Sequence, residues 1–215
     1  MSKAMTISSL ARQRGFEWIV LLHRDDPLIE ERRRAFAGAT FIYTDLDGSP
    51  SDVAWLAYGA DWRRAIGGRD GTIAMTRLDD DDALAPWIME RTREVAAKID
   101  RRTILMCPNG IRVWQGGYAA VRHHSNAMHT LVTPPGDTLT VYDYGHRDVR
   151  RVATVRNMDF RVGWLWVRHP DTISGWRTSD QPLTPEIRSL FEVDWSVLKQ
   201  PFTQERLRPA GHVFR

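Results

Sequence analysis

The chain has 215 residues, 42% hydrophobic and 27% charged, an ordinary globular composition that excludes disorder, collagen-like repeats and coiled coil. A net charge of +3 is too small to select nucleic acid as a partner. No apolar run approaches the roughly 20 residues that span a bilayer; the best is Ile19 to Leu22. The N-terminus carries one positive charge and no long apolar core, so it does not read as a secretory signal. The single cysteine, Cys107, cannot close an internal disulfide, which fits a reducing, cytoplasmic compartment. Of the 30 basic residues only Lys3, Lys98 and Lys199 are lysine. Arginine grips phosphate and carboxylate in a bidentate way, but a compositional bias of the source is the simpler account. The nine tryptophans are read mainly as core.

In chain order, Phe16 to Leu22 reads as a buried strand, a short apolar run rich in aromatic and β-branched residues. Asp26 then caps a helix with Pro27 at its first position, Glu30 and Glu31 early, Arg32 to Arg34 late, and Gly38 as its stop. Ala39 to Tyr43 is a second strand. Ser51-Asp52 opens a helix through Ile66, closed by Gly67-Gly68, and Thr72 to Leu78 is a third strand. A helix from Ala83 to Ile99 follows, with Pro86 tolerated near its start. This alternation predicts a parallel, helix-covered sheet. Beyond residue 100 the pattern turns β-rich. Arg102 to Cys107 and Ile111 to Gln115 flank a hairpin-type turn, Pro108-Asn109-Gly110. Tyr118 to Arg122, Thr138 to Asp143 and Val162 to Arg168 are further strands, and Thr184-Pro185-Glu186 starts a short helix. With no repeat or low-complexity linker, residues 1–215 are expected to form one domain, with 1–100 an α/β half and 101–215 a β-rich half.

The strongest local signal is the run Asp79-Asp80-Asp81-Asp82, directly after a predicted buried strand and directly before a predicted helix. Ligands of open α/β sheets bind at the carboxyl ends of strands. Neighbouring carboxylates repel one another, and a hard divalent cation such as Mg²⁺ or Mn²⁺ relieves that repulsion while sharing its coordination with substrate phosphates. The plain alternative is that one of them, best Asp82, caps the following helix and the others face water.

Ser9-Leu10-Ala11-Arg12-Gln13, then Phe16-Glu17-Trp18-Ile19-Val20-Leu21, then Arg77-Leu78-Asp79-Asp80-Asp81-Asp82 resemble family 2 glycosyltransferases of the GT-A fold, whose patterns read S-L-x-x-Q, F-E-x-I-V and L-D-x-D-D. The arginine before the acidic run and the Trp-rich strand make the chain most similar to the bacterial family of putative rhamnosyltransferases, over roughly residues 7 to 180. The resemblance implies an α/β fold with a GT-A-like mixed sheet flanked by helices. It also implies a first strand ahead of the S-L-x-x-Q helix, near the middle of the sheet, which is expected to be missing here. Carried over by position, Asp79 and Asp81 are the pair of the D-x-D motif that meets the nucleotide ribose and the metal-bound diphosphate. Asp80 lies within that site, and Asp82 stands beside the metal or caps the helix. Asp25 and Asp26 fall where the nucleotide is held, although His23 stands where an acidic residue is common. His146 is the implied third metal ligand, whereas His123, His124, His129 and His169 are expected to be structural.

The activity so implied is transfer of a sugar, rhamnose by the family's name, from a nucleoside-diphosphate donor to a glycan or lipid-linked acceptor. Mn²⁺ or Mg²⁺ neutralises the leaving diphosphate, and Arg77 or Arg147 clamps it. A carboxylate, Asp143 or Asp159, takes the acceptor proton, and Trp114 and Trp164 stack on sugar rings. A lipid-linked acceptor would bring peripheral contact with the inner face of the membrane. The rival readings are a non-catalytic glycosyltransferase-like binding module and a metal-dependent phosphohydrolase. The D-x-D-x-T pattern of the latter is not found in the sequence.

Overall fold

A computed structural model describes residues 3–44, 59, 62–64, 66, 69–79, 82–114, 117–124, 126, 128–145, 147–168 and 181–196. Helix α1 (Lys3–Ala11) leads to strand β1 (Ile19–His23), and helix α2 (Ile29–Ala35) returns the chain to β2 (Thr40–Thr44). The two strands pair in parallel, Ile19 opposite Thr40 and His23 opposite Thr44, as their apolar runs predict. Helix α2 begins later than expected: Pro27 and Leu28 form a turn, and Asp26 Oδ1 accepts the Leu28 N–H at 2.9 Å, so Asp26 caps the turn and not the helix. Gly38, at φ +91°, turns the chain into β2 in a backbone region open to glycine. Most of the predicted 51–66 helix lies outside the described residues, although residues 59, 62–64 and 66 are helical.

Strand β3 (Ile73–Thr76) precedes the acidic run, and the expected helix from Ala83 does not follow it. Ala83 and Leu84 form β4 (Ala83–Leu84), and helix α3 (Ile88–Ala96) begins only after Pro86, with Trp87 at its N-cap. Proline disfavours the helical region for the residue before it, and the edge of a neighbouring strand offers β4 its ladder. Asp82 is therefore not a helix cap. The remaining elements are β5 (Thr103–Met106), β6 (Asn109–Trp114), β7 (Gly117–Arg122), β8 (Thr130–Thr133), α4 (Val149–Val152), β9 (Thr154–Asn157), β10 (Trp164–Val167) and α5 (Pro185–Ser189). Helix α5 starts as predicted, with Thr184 Oγ1 accepting the Ile187 N–H.

Among the described residues the strands fall into three sheets: β1-β2, β3-β8-β5-β9 and β4-β10-β6-β7. The two larger sheets are mixed and flanked by helices, as the resemblance implied, while the parallel pairing read from the first 100 residues holds for β1-β2 and not for β3 and β4, which pair antiparallel. Pro108-Asn109-Gly110 makes no hairpin, because β5 and β6 belong to different sheets; the hairpin is β6-β7, with Trp114 opposite Gly117. Thr138 to Asp143 is not a strand. Asp137 Oδ1 accepts the Leu139 N–H and Asp143 Oδ2 the Thr140 N–H, so side chains take the backbone donors that a ladder would use. The sheet position goes instead to β8 and β9, neither expected from the sequence. β8 is buried on both faces and so shows no alternation.

Three apolar layers hold the sheets. Ile111, Val113, Leu165 and Val167 on one face of the β4-β10-β6-β7 sheet pack with Met5 and Phe191. Its other face supplies Leu84 and Trp164 to a layer shared with α3 and with Leu105 and Val132 of the neighbouring sheet. Ile104, Met106 and Leu131 turn the opposite way, toward Trp62, Val141 and Tyr144. Strand directions then position the site. β3 and β5 are both antiparallel to β8, and β9 is parallel to β5, so β3, β5 and β9 all point the same way. Arg69 Nη2 lies 2.5 Å from Glu17 Oε2, which ties the segment before β3 to the segment before β1.

Candidate functional site

β3, β5 and β9 share a direction, so Asp79, Cys107 and Asp159 stand beyond carboxyl ends on one side of their sheet, where ligands of such sheets bind, and Asp25 follows the carboxyl end of β1. Asp79 leaves β3 with its side chain 45% exposed, while the Arg77 side chain beside it is 14% exposed. Arg77 donates from Nε at 3.2 Å and Nη2 at 3.1 Å to Asp79 Oδ1, and its guanidinium lies 6.0 Å from the Tyr142 ring centre. Tyr142 stacks in turn on Trp62, with ring centres 5.4 Å apart. A solvent-facing carboxylate is thus held by a cation that aromatic packing fixes. Asp79 and Tyr142 both line a cavity of about 930 Å³ that extends between β1 and β3.

The acidic run parts at Asp82, which is 2% exposed. Its Oδ1 accepts the Val167 N–H at 3.1 Å, and its carbonyl accepts the Thr6 hydroxyl at 2.6 Å. The helix carrying S-L-x-x-Q continues this clamp. Ser9 Oγ accepts the Leu84 N–H at 3.4 Å, while Gln13 donates to the Ala85 carbonyl at 2.9 Å and accepts the Met89 N–H at 3.4 Å. Thr6 and Ser9 lie on one stripe of α1 and Gln13 follows just beyond its end, so all three polar side chains are buried against the backbone after the acidic run. Sequence reading quoted Ser9 and Gln13 as a resemblance without a role; the i, i+3, i+7 spacing of hydrogen-bonding side chains was the available signal.

Asp80, Asp81 and His146 lie outside the described residues. Among the described residues no three His, Cys, Asp or Glu side chains converge as a metal ion would require. Asp25 is exposed, its N–H donating to His23 Nδ1 at 3.1 Å, while Asp26 is ion-paired with Arg32. Asp143 is ion-paired with Arg63, and its side chain is 9% exposed. Asp159 is gripped by Arg161 through Nε at 3.1 Å and Nη2 at 2.9 Å, and those bonds hold its carboxyl below the ordinary range. It stands three strand spacings, or about 14 Å, along the sheet from the β3 side. Arg147 is exposed. His129 is structural as expected, buried with Nε2 3.0 Å from the Tyr144 hydroxyl.

Trp164 cannot stack on a sugar: it is 2% exposed and its Nε1 donates to the Cys107 carbonyl at 2.8 Å. Two partly exposed tryptophans of this sheet, Trp114 and Trp166, each have an arginine over the ring: Arg112 at 5.6 Å and Arg168 at 4.6 Å. Arg112 is opposite Trp166 in the β6-β10 register, and the same antiparallel register that pairs Trp164 with Leu84 carries Asp82 to Trp166. Burial and the neighbouring Arg112 charge push the Arg168 guanidinium below its ordinary value. This cationic, aromatic face beside Asp82 was missed by sequence reading, although its alternation is legible in R-V-W at 112–114 and W-V-R at 166–168.

Comparison with known proteins finds no match among curated proteins and none among solved structures. A family model does match, the one described as putative rhamnosyl transferase, and it covers residues 3–179. That span holds the α1 clamp, the Arg77-Asp79 pair and the Arg-Trp face alike, and the mixed sheets flanked by helices are consistent with a GT-A-like fold. The chain belongs to the putative rhamnosyl transferase family, a family of glycosyltransferases.

Proposed function

We propose that the chain transfers a sugar, rhamnose by the family's description, from a nucleoside diphosphate to a hydroxyl of a glycan or lipid-linked acceptor. The observation that carries this reading is the Arg77-Asp79 pair, which presents a fixed carboxylate and a fixed guanidinium at the carboxyl end of β3. A carboxylate accepts hydrogen bonds from ribose hydroxyls, and a guanidinium donates to diphosphate oxygens. Asp79 and Arg77 therefore take the donor, with exposed Asp25, beyond the end of β1, on the nucleotide side. A divalent cation, Mg²⁺ or Mn²⁺, belongs to the proposal with Asp81 and His146 as its ligands, since the Asp82 carboxylate is turned to the Val167 N–H, and when bound it would supply neutralisation of the leaving diphosphate.

In the transfer, the acceptor oxygen bonds to the anomeric carbon as the bond to the diphosphate oxygen breaks, and the hydroxyl proton passes to a carboxylate. Of the two candidates, Asp143 adjoins Tyr142 and hence Arg77, whereas Asp159 stands at the far side of the sheet as a weakened base. Thermal unfolding in the presence of UDP, GDP and dTDP, each with and without Mn²⁺, tests the reading. A metal-dependent rise with at least one nucleotide, lost in Asp79→Ala, is expected. No rise with any nucleotide, or a rise unchanged in Asp79→Ala, overturns it.

A further inference from the structure

The β4-β10-β6-β7 sheet gives one face to an apolar layer through Ile111, Val113, Leu165 and Val167, so alternation turns Arg112, Trp114, Trp166 and Arg168 to the other. β6 and β10 are parallel, with Arg112 opposite Trp166. The Arg168 N–H donates to the Val113 carbonyl at 2.7 Å, which carries the ladder one residue further and brings Arg168 level with Trp114. The four side chains thus make a square, with the arginines on one diagonal and the tryptophans on the other. Strand spacing sets each diagonal at about 8 Å between Cα atoms. β7 places the small residues Gly117 and Ala119 beside this square, opposite Trp114 and Arg112.

The two tryptophans are set differently. Trp166 carries the Arg168 guanidinium over its ring at 4.6 Å and so fixes a cation that is 7% exposed. Trp114 lies across β7: a Cβ at Gly117 would stand 2.9 Å from its Cζ2 and 3.2 Å from its Cε2, so only a glycine there lets the indole lie down. Arg112 is 5.6 Å from the Trp114 ring centre, at the margin of the ring. Trp114 is therefore a partly exposed platform with a guanidinium at each neighbouring position. Two guanidiniums this close repel, and an anion held between them is attracted by both. A neutral sugar would use the indole and leave the cations idle, whereas a bare anion would use the cations and leave the indole idle. A sugar ring that carries an anionic group uses both.

We infer that this face binds an anionic sugar residue of the acceptor, with its ring on Trp114 and its phosphate or carboxylate on Arg112 and Arg168. Assigning that sugar to the acceptor rests on the glycosyl-transfer reading; its binding to the face does not. The position suits an acceptor. Asp82 stands opposite Trp166 in the β4-β10 register, and its N–H donates to the Asp79 carbonyl at 3.3 Å. That turn keeps the Asp79 backbone within roughly 12 Å of Trp166, so the face adjoins the donor held by Arg77 and Asp79.

The test titrates the full chain, without nucleotide or metal, with glucose 6-phosphate, glucuronate, glucose and inorganic phosphate. Tryptophan indole N–H signals are followed by NMR, and the Trp114 signal is identified by its loss in Trp114→Phe. One of the two anionic sugars is expected to move that signal saturably and to bind about tenfold more tightly than glucose or inorganic phosphate. The better of the two tells phosphate from carboxylate. Arg112→Gln, at a partly exposed position, is expected to bring that affinity down to the level of glucose, while Asp79→Ala leaves it unchanged. Anionic sugars that bind no better than glucose overturn the inference, as does an affinity unchanged in Arg112→Gln. So does inorganic phosphate that binds as tightly as the better sugar. These outcomes involve no nucleotide, so they stand apart from the thermal test of the donor reading. Should the nucleotide-dependent thermal rise be lost in Arg112→Gln as in Asp79→Ala, the two arginines serve the donor diphosphate and the inference falls.

Discussion

Asp79 and Asp82 are three residues apart in one acidic run, yet the structure gives them opposite work, and their alanine variants separate it. Asp82 is 2% exposed and its carboxylate receives the Val167 N–H at 3.1 Å. Alanine removes a hydrogen bond to a charged acceptor and strands a buried backbone donor, a loss of about 2–3 kcal/mol. The Thr6 hydroxyl bonds to the Asp82 carbonyl, which alanine retains, so that contact adds little to the loss. At about 2–4 °C per kcal/mol for a chain of this size, the melting temperature of Asp82→Ala falls by roughly 5–10 °C. Asp79 is 45% exposed and meets Arg77 at the surface, an interaction of about 0.2–1 kcal/mol. Asp79→Ala therefore melts no more than about 4 °C below the parent while losing nucleotide binding. Asp82→Asn keeps an acceptor oxygen and recovers most of the Asp82→Ala loss. Thermal unfolding by circular dichroism at neutral pH reads all three variants. An unchanged melting temperature in Asp82→Ala, or an equal fall in Asp79→Ala, refutes this division of labour.

Three further outcomes follow from the packing and the charges. A Cβ at Gly110 would lie 2.1 Å from the Trp164 ring, which is pinned by its bond to the Cys107 carbonyl; Gly110→Ala should cost about 1–3 kcal/mol, seen as a lower urea midpoint, and an unchanged midpoint contradicts it. Burial first, then the charge of Asp159, pushes the Cys107 thiol up to about 11, so iodoacetamide at pH 8 should label it only after denaturation; native labelling at the rate of an exposed thiol would show the pocket open. Arg102 holds the Asp137 carboxyl below its ordinary value through bonds of 2.7 and 2.8 Å. Because the folded value is lowered, this stabilisation is present above the unfolded value of about 3.9 and is lost as pH falls through the folded one. With Arg102 41% exposed it amounts to less than about 1 kcal/mol. The melting gap between parent and Asp137→Asn should therefore hold from neutral pH to about pH 4 and narrow as pH falls further, and a gap that stays constant through the acid range refutes the linkage.

The sequence by itself determined features that rest on neighbouring residues. The parallel β1-α2-β2 unit, the strand ahead of the acidic run, the Thr184 cap and the structural standing of His129 were all legible. Local propensity and short-range capping decide these, and both are written in adjacent residues. The family, too, was readable from S-L-x-x-Q, F-E-x-I-V and the acidic run, and the family model agrees over residues 3–179. Tertiary structure decided which sheet each later strand joined and which carboxylates face water. Ala83 and Leu84 have nothing helix-breaking in their own side chains; Pro86 and the open edge of β10 made them a strand. Thr130–Thr133 shows no alternation because both its faces are buried, a fact that belongs to the layers and not to the segment. Four consecutive aspartates look alike in sequence, yet Asp82 turns in because Val167 offers a buried N–H 85 residues away, and Asp79 stays out because Arg77 and Tyr142 hold it there. Burial and long-range hydrogen bonding are set by what folds against a residue, and so they separate side chains that sequence leaves equivalent.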